Sequence, residues 1–366
     1  MIIARHAKEL AQAHAQPQGP PSVPVVATRA YRGDIGVYFT GLGAVTPIYT
    51  VTVRTQVNGE LMQVYFREGQ LVHKGELLAE VDPRPYQVQL TQAEGQLLRD
   101  QALLANARID LDRYQTLLTQ NAVPEQTVAT QKALITQDEG IVKTDQGLID
   151  SAKLNLIYCR ITSPITGRVG LRLVDPGNIV HTTDTNGLLV ITQLQPISVI
   201  FTISEDQVPT VLAKMRARQQ LPVQAWDRDL KTKLAQGTLT TIDNQIDQTT
   251  GTLRLRATFP NGDDALFPNQ FVNARLLVDE KRGVTLVANA AVQRNAQNTY
   301  VYLVKPDQTV TVHQVTIGTT EGGETEIDSG LSPGDVVVTT GVDKLQEGTK
   351  VAAQIPATTA QGRPGS

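Results

Sequence analysis

The feature that most constrains this chain is a pair of heptad repeats on either side of one proline. Leu90, Leu97, Leu104, Leu111 and Leu118 recur every seven residues before Pro124, and Val128, Ile135, Val142, Ile149 and Leu156 do so after it. From Gln87 to Tyr158 no other proline interrupts the run. A seven-residue apolar period places one side chain every two turns on the same helix face, and that face must find a partner. Ala93, Ala107 and Tyr114 add a partial second seam on the first arm, and Leu134, Ile141 and Leu148 are expected to widen the stripe on the second. Each arm of roughly 35 residues would reach about 52 Å at the helical rise. So few residues separate the arms that they must fold back antiparallel. Pro124 suits the first helical position, with Glu125 in the first turn and Val123 as a poor N-cap before it. The outer positions are Gln, Arg, Asp, Thr and Lys, as in a thin, solvated coiled-coil hairpin rather than a bundle buried on several sides.

The segments flanking the hairpin resemble each other. Upstream stands VNGELMQVYFREGQLVHKGELLAEV, and downstream ITGRVGLRLVDPGNIVHTTDTNGLLVIT. Gly59 and Gly69 are ten residues apart, as are Gly167 and Gly177, and an aliphatic pair follows each second glycine (Leu71-Val72; Ile179-Val180). These glycines are expected to supply positive φ at structural turns, and the alternating aliphatics to cover one face of a small sheet. Asn58-Gly59 in addition carries the signal of a two-residue hairpin. Two such halves, neither able to bury its face alone, would close on one another as a lipoyl/biotinyl-like domain split by the hairpin. A lipoyl carrier presents its modified lysine at the turn joining the halves. Here some seventy helical residues replace that turn, and Lys74, the only lysine of the first half, lies in a turn inside that half.

The remainder reads as short β runs. After Thr192 come a strand, a helix from about Glu205 to Arg218 and further strands, with turns at Asn261-Gly262-Asp263 and Pro268-Asn269, as in a small closed barrel. From Gly283 a final β series forms another sheet, expected to pair with the early VPVVATRA strand. The fold class is therefore α+β, mainly β, in an elongated multi-domain chain. The expected divisions are 23–33 with 280–355 (a further small β domain), 34–52 with 193–279 (β-barrel), 53–83 with 160–192 (split lipoyl-like domain) and 84–159 (α-hairpin). Residues 1–22 and 356–366 read as disordered arms.

Searches for chemistry end without a site. The net charge of −3 and the 4 % aromatic content disfavour nucleic-acid binding. Lone Cys159 excludes an intramolecular disulfide or a CxxC motif. His6, His14, His73, His181 and His313 are scattered, and no nucleotide-binding, nucleophile-elbow or zincin motif occurs. No catalytic residue, cofactor or metal is expected. The most apolar window, Gly187 to Ile203, is broken by Gln193, Gln195 and Pro196, so it does not read as a membrane span. Met1 does not open a signal peptide, so either the protein is cytoplasmic or the sequence starts after an export signal or anchor.

The heptad hairpin, together with GLGAVTPIYTVTVRTQVNGELM, RITSPITGRVGLRLVDPGN and NQIDQTTGTLRLRATFPNGDDALFPNQFVNARLLVD, resembles the periplasmic adaptors, or membrane fusion proteins, of resistance-nodulation-division (RND) efflux pumps. The resemblance runs from Val23 to about Val351. It implies an adaptor attached to the inner membrane of a Gram-negative bacterium, six copies of which join a proton-driven transporter, possibly of two different subunits, to a TolC-type outer-membrane channel. It implies that the hairpin tip meets the channel. The family places an Arg, a Leu four residues on and a Ser seven further. Here Arg113 and Leu117 match, while Pro124 stands at the third position. Adaptors of ATP-driven exporters and type I secretion systems share the lipoyl–hairpin plan, and FPNQFVNARLLVD and NQIDQTTGT favour the proton-driven class. A lipoylated carrier is the third reading.

Overall fold

The computed structural model describes residues 22–295 and 297–356, so the expected terminal arms lie almost wholly outside the described residues. The described residues form two compact units, one of residues 43–200 with 256–272, the other of 22–42, 201–255, 273–295 and 297–356.

In the first unit two long helices, α1 (Arg84–Thr119) and α2 (Glu125–Tyr158), pack against each other as the heptads require. Helix α1 starts behind Pro83, with Pro85 where the missing N–H costs nothing. Asp82 accepts the Arg84 backbone N–H at 3.0 Å and pairs with its guanidinium at 2.7 Å, which holds the Asp82 carboxyl below its ordinary range. The seam is tightest at Leu104 and Ala107 of α1 and Val128, Ile149 and Ala152 of α2, all buried.

Leu134, Ile141 and Leu148 do not widen the seam: they are 41 %, 38 % and 53 % exposed. The inner positions of α2 run instead through Gln131, Asp138, Asp145 and Ala152, three or four residues from the Val128 series. A two-helix seam has room for only two positions per heptad, and the neighbouring position falls on the flank. Across the opposite flank Arg108 pairs with Glu139 at 2.8 Å.

At the base of the hairpin two four-stranded sheets enclose one core. Their orders are 50–53, 189–192, 167–169, 71–72 and 160–162, 77–81, 59–64, 179–180. Leu61, Leu78, Val81, Val169, Leu189 and Ile191 fill the space between them, with Tyr86 and Tyr158 from the two helix ends packed on it.

The two halves are related by a constant offset of 108 residues, seen in Gly59 and Gly167, Leu61 and Val169, and Gly69 and Gly177. Strand pairing obeys it reciprocally, since Gly59 opposes Val180 while Gly167 opposes Val72. The Gly69 N–H donates to the Val169 carbonyl at 3.0 Å and the Gly177 N–H to the Leu61 carbonyl at 2.8 Å. His73 donates its backbone N–H to Glu76, and His181 does the same to Asp184. Each half thus completes the hydrogen bonding of the other, which neither could do alone.

The glycines separate into two kinds. Gly69 and Gly177 have φ of +74° and +90°, the left-handed region expected of them. Gly167 has no such φ; a Cβ there would lie 2.6 Å from the Thr192 carbonyl oxygen, so close strand approach requires the glycine. At Gly59 a Cβ would meet Val81 Cγ1 at 2.7 Å. Asn58-Gly59 is not a two-residue hairpin either. The strands on its two sides, 50–53 and 59–64, belong to different sheets, and Asn58 Oδ1 accepts the Thr182 N–H at 2.8 Å instead.

In the second unit Pro222–Trp226 pairs with Lys233–Asp247 on one side and with Phe271–Ala288 on the other, which closes a barrel. Phe201, Val223, Leu255 and Leu276 are among its buried side chains. The helix expected at 205–218 is a 3-10 turn, Glu205–Gln207, followed by α3 (Val208–Arg216). Val23–Arg29 lies between the antiparallel strand Val336–Thr340 and the parallel strand Val351–Gln354, so the early strand joins the last sheet as expected.

Candidate functional site

The turn joining α1 to α2 is built by its own backbone. Asn121, at φ +58°, follows the C-cap Gln120. Its N–H donates to the Leu118 carbonyl at 2.9 Å, and the Ala122 N–H to the Leu117 carbonyl at 2.9 Å. These two bonds form a Schellman motif that satisfies the last carbonyls of α1. Asn121 was missed in the sequence, although an Asn just past the last periodic residue and three before a proline is the signal for it.

Pro124 is not the first residue of α2 but its N-cap, with φ −65° and ψ +146°. The ring fixes φ at a helical value while ψ stays extended, so the helix begins one residue later, with Glu125 in the first turn and the Thr127 N–H on the Pro124 carbonyl. Arg113 is exposed and pairs with Asp110 at 3.1 Å within its own helix. Leu117 and Leu118 are half-buried, and Pro124 is exposed. The tip therefore offers a guanidinium one turn below a partly open leucine pair, beside a turn that caps the last carbonyls of α1. Such a surface can dock another helical surface. It holds no arrangement for bond-making chemistry.

Where a lipoyl carrier would turn between its halves, this chain leaves through Asp82 and returns at Cys159, whose carbonyl accepts the Val81 N–H at 2.9 Å. Lys74 is exposed in the turn inside the first half, where its backbone N–H donates to Thr166 Oγ1 at 3.1 Å. The Cys159 thiol is buried, and burial, then the nearby Asp82 and Glu80 carboxylates, push its pKa up. Among the described residues, no three His, Cys, Asp or Glu side chains converge as metal ligands, and no helix is long and apolar enough to cross a membrane.

Family models divide the chain along the same modules. The barrel-sandwich hybrid domain of RND membrane fusion proteins matches residues 49–192, and the β-barrel domain of RND membrane fusion proteins matches 196–280. The C-terminal permuted SH3-like domain of YknX matches 284–353. Multidrug resistance protein MdtA of Yersinia pseudotuberculosis is 48 % identical over 347 residues, which is 94 % of this chain and 78 % of that protein. The chain belongs to the MdtA family of RND membrane fusion proteins. MdtA of Yersinia enterocolitica is 49 % identical over 340 residues, 92 % of this chain and 77 % of the relative. Among solved structures, a MacA–MexA chimera carrying the Pseudomonas aeruginosa MexA α-hairpin is 26 % identical, with a TM-score of 0.51 over 84 % of this chain and 98 % of that one. Membrane fusion proteins of this family are periplasmic adaptors, so the hairpin on a split lipoyl core is a family trait rather than a peculiarity of this sequence.

Proposed function

We propose that this adaptor bridges a proton-driven RND transporter of the inner membrane, possibly of two different subunits, and a TolC-type channel of the outer membrane, and couples transport to channel opening. The observation that carries the reading is the hairpin itself. An about 50 Å pair of helices interrupts the lipoyl core at the joint where a carrier would present its lysine, and ends in an exposed turn that caps α1. The reading has the protein act without catalysis or cofactor, attached to the inner membrane and assembled as six copies. Arg113, Leu117 and Pro124 form the channel-facing tip, and Gly59, Gly69, Gly167 and Gly177 keep the hairpin's base rigid. Residues 23–33 with 280–355 form the membrane-proximal domain, and the RND-type barrel favours the proton-driven motor over an ATP-driven one.

Drug efflux in cells carrying Leu117→Ser or Arg113→Asp tests the reading. The Arg113–Asp110 pair spans one helical turn on an exposed face, where such pairs stabilise by about 0.2–0.5 kcal/mol. Losing it leaves the fold intact. Loss of efflux with unchanged adaptor abundance and helical signal is expected; wild-type efflux from both variants would reduce the tip to a spacer.

A further inference from the structure

Two carboxylates occupy the apolar seam of the hairpin. Asp100 of α1 and Asp145 of α2 stand at inner heptad positions, in register with Ala93 and Ala107 on one helix and Ala152 on the other, and are only 5 % and 4 % exposed. Each carboxyl acts on the titration of the other across the seam. They are not equivalent. Asp100 is well served: Gln96 donates to its Oδ2 at 2.8 Å, and the Arg99 guanidinium pairs with Oδ1 at 2.9 Å. Asp145 Oδ2 is buried without any hydrogen-bond partner, the only such side-chain atom found among the described residues.

An ionised carboxylate offers two oxygens and about four acceptor sites, so it is costly to bury with one oxygen bare. A neutral acid asks for less, and its O–H is a donor. Two like charges in a desolvated seam, moreover, cannot both remain ionised without cost. We propose that Asp100 and Asp145 form a proton-binding site inside the hairpin, in which Asp145 carries the proton and donates it to the Asp100 carboxylate, so that the helix pair tightens as pH falls.

The surroundings agree. Burial first, then the hydrogen bond and charge of Asp100, raise the Asp145 pKa above the usual aspartate range, while Arg99 first, and the contacts from Asp145 and Gln96, hold Asp100 below it. Arg99 is the charged neighbour acting on both carboxylates. On α2 the adjacent seam residues are Val142 and Ile149, and Lys143 and Asp150 are exposed. For a carboxyl whose folded pKa is raised, the folded state binds more protons than the unfolded one between the two pKa values. Stability from Asp145 is therefore fully present below the unfolded value and is lost as pH rises through the raised one. Asp100 runs the other way, and its contribution fails only in stronger acid, as pH falls through its lowered pKa.

The inference goes beyond the adaptor role and does not depend on what the tip touches. Melts of the full-length chain followed at the helical circular-dichroism band, at a series of pH values from mildly alkaline to mildly acidic, test it. The wild type is expected to gain several degrees as pH falls. Asp145→Asn, which fixes the neutral form, should melt at least as high as the acidic wild type throughout, with the gain abolished. An infrared C=O band of a protonated carboxyl, shifted by ¹³C-aspartate labelling and present above the ordinary aspartate pKa, is expected in the wild type. That measurement stands without any variant. Parallel pH profiles for wild type and Asp145→Asn, or absence of the infrared band, would overturn the proposal. So would a wild-type rise in melting temperature on adding Mg²⁺ or Ca²⁺ that replaces the pH effect, because the seam would then be a cation site.

Discussion

Gly167 and Gly177 look alike in the sequence but do different work, and substitution separates them. An alanine at Gly177 meets no atom within 4 Å and pays only for left-handed backbone, about 1–2 kcal/mol. An alanine at Gly167 would press its Cβ to 2.6 Å from the Thr192 carbonyl oxygen and must push two strands apart. Thermal melts should rank Gly167→Ala as the more destabilising; the reverse order would mean that positive φ, not strand approach, governs both positions. Cys159 supplies a second test at this scale. It is fully buried and its pKa is raised, so a maleimide should label it only when the lipoyl core opens, at a rate that follows unfolding in urea. Rapid labelling of the native chain would contradict the packing of the helix ends on that core. The ten-residue spacing of the glycines could be read directly, because spacing survives in one dimension. Which glycine bends the chain and which admits a neighbour could not, because close approach depends on a strand more than twenty residues away. Asn58-Gly59 misled for the same reason: the local turn signal is real, but pairing with residues 179–180 decides where the strand goes.

At the scale of the element, the hairpin was the most legible part of the chain, since five heptads on each side of a proline admit few other folds. Its interior was less so. Counting hydrophobes placed Leu134, Ile141 and Leu148 inward and passed over Asp100 and Asp145, which sit in the second seam because the geometry leaves them no other place. The consequences are measurable. Leu104→Ala, at a buried seam position, should cost about 2–3 kcal/mol in an unfolding titration read at the helical band. Leu148→Ser, on the exposed flank, should stay within about 0.5 kcal/mol of the parent. Equal losses would mean that the flank is part of the packed core. The tip was half legible: Pro124 marked the break, but the Schellman turn on Asn121 fixes its geometry. Asn121→Val, forced to a left-handed φ that a β-branched residue resists, should increase hydrogen exchange in the last turn of α1. Asn121→Gly should leave it unchanged.

For the molecule as a whole, the modules divide the labour. The lipoyl core closes by reciprocal hydrogen bonds between its halves and is the base from which the hairpin extends, with Asp100 and Asp145 as the buried carboxylates of its seam. The barrel and the last sheet add β surface in a separate unit, and among the described residues no three His, Cys, Asp or Glu side chains converge as metal ligands. The central claim is that the tip, and not the shaft, meets an outer-membrane channel. Because Cys159 is the single cysteine and is buried, Leu117→Cys creates the one accessible thiol near the tip, and Leu154→Cys creates one near the base of the hairpin. A photoreactive maleimide on each, in cells with a working pump, reads the contact directly. The account predicts a cross-link to an outer-membrane protein from position 117 and none from position 154; cross-links from 154 alone, or none from 117 while efflux continues, would contradict it.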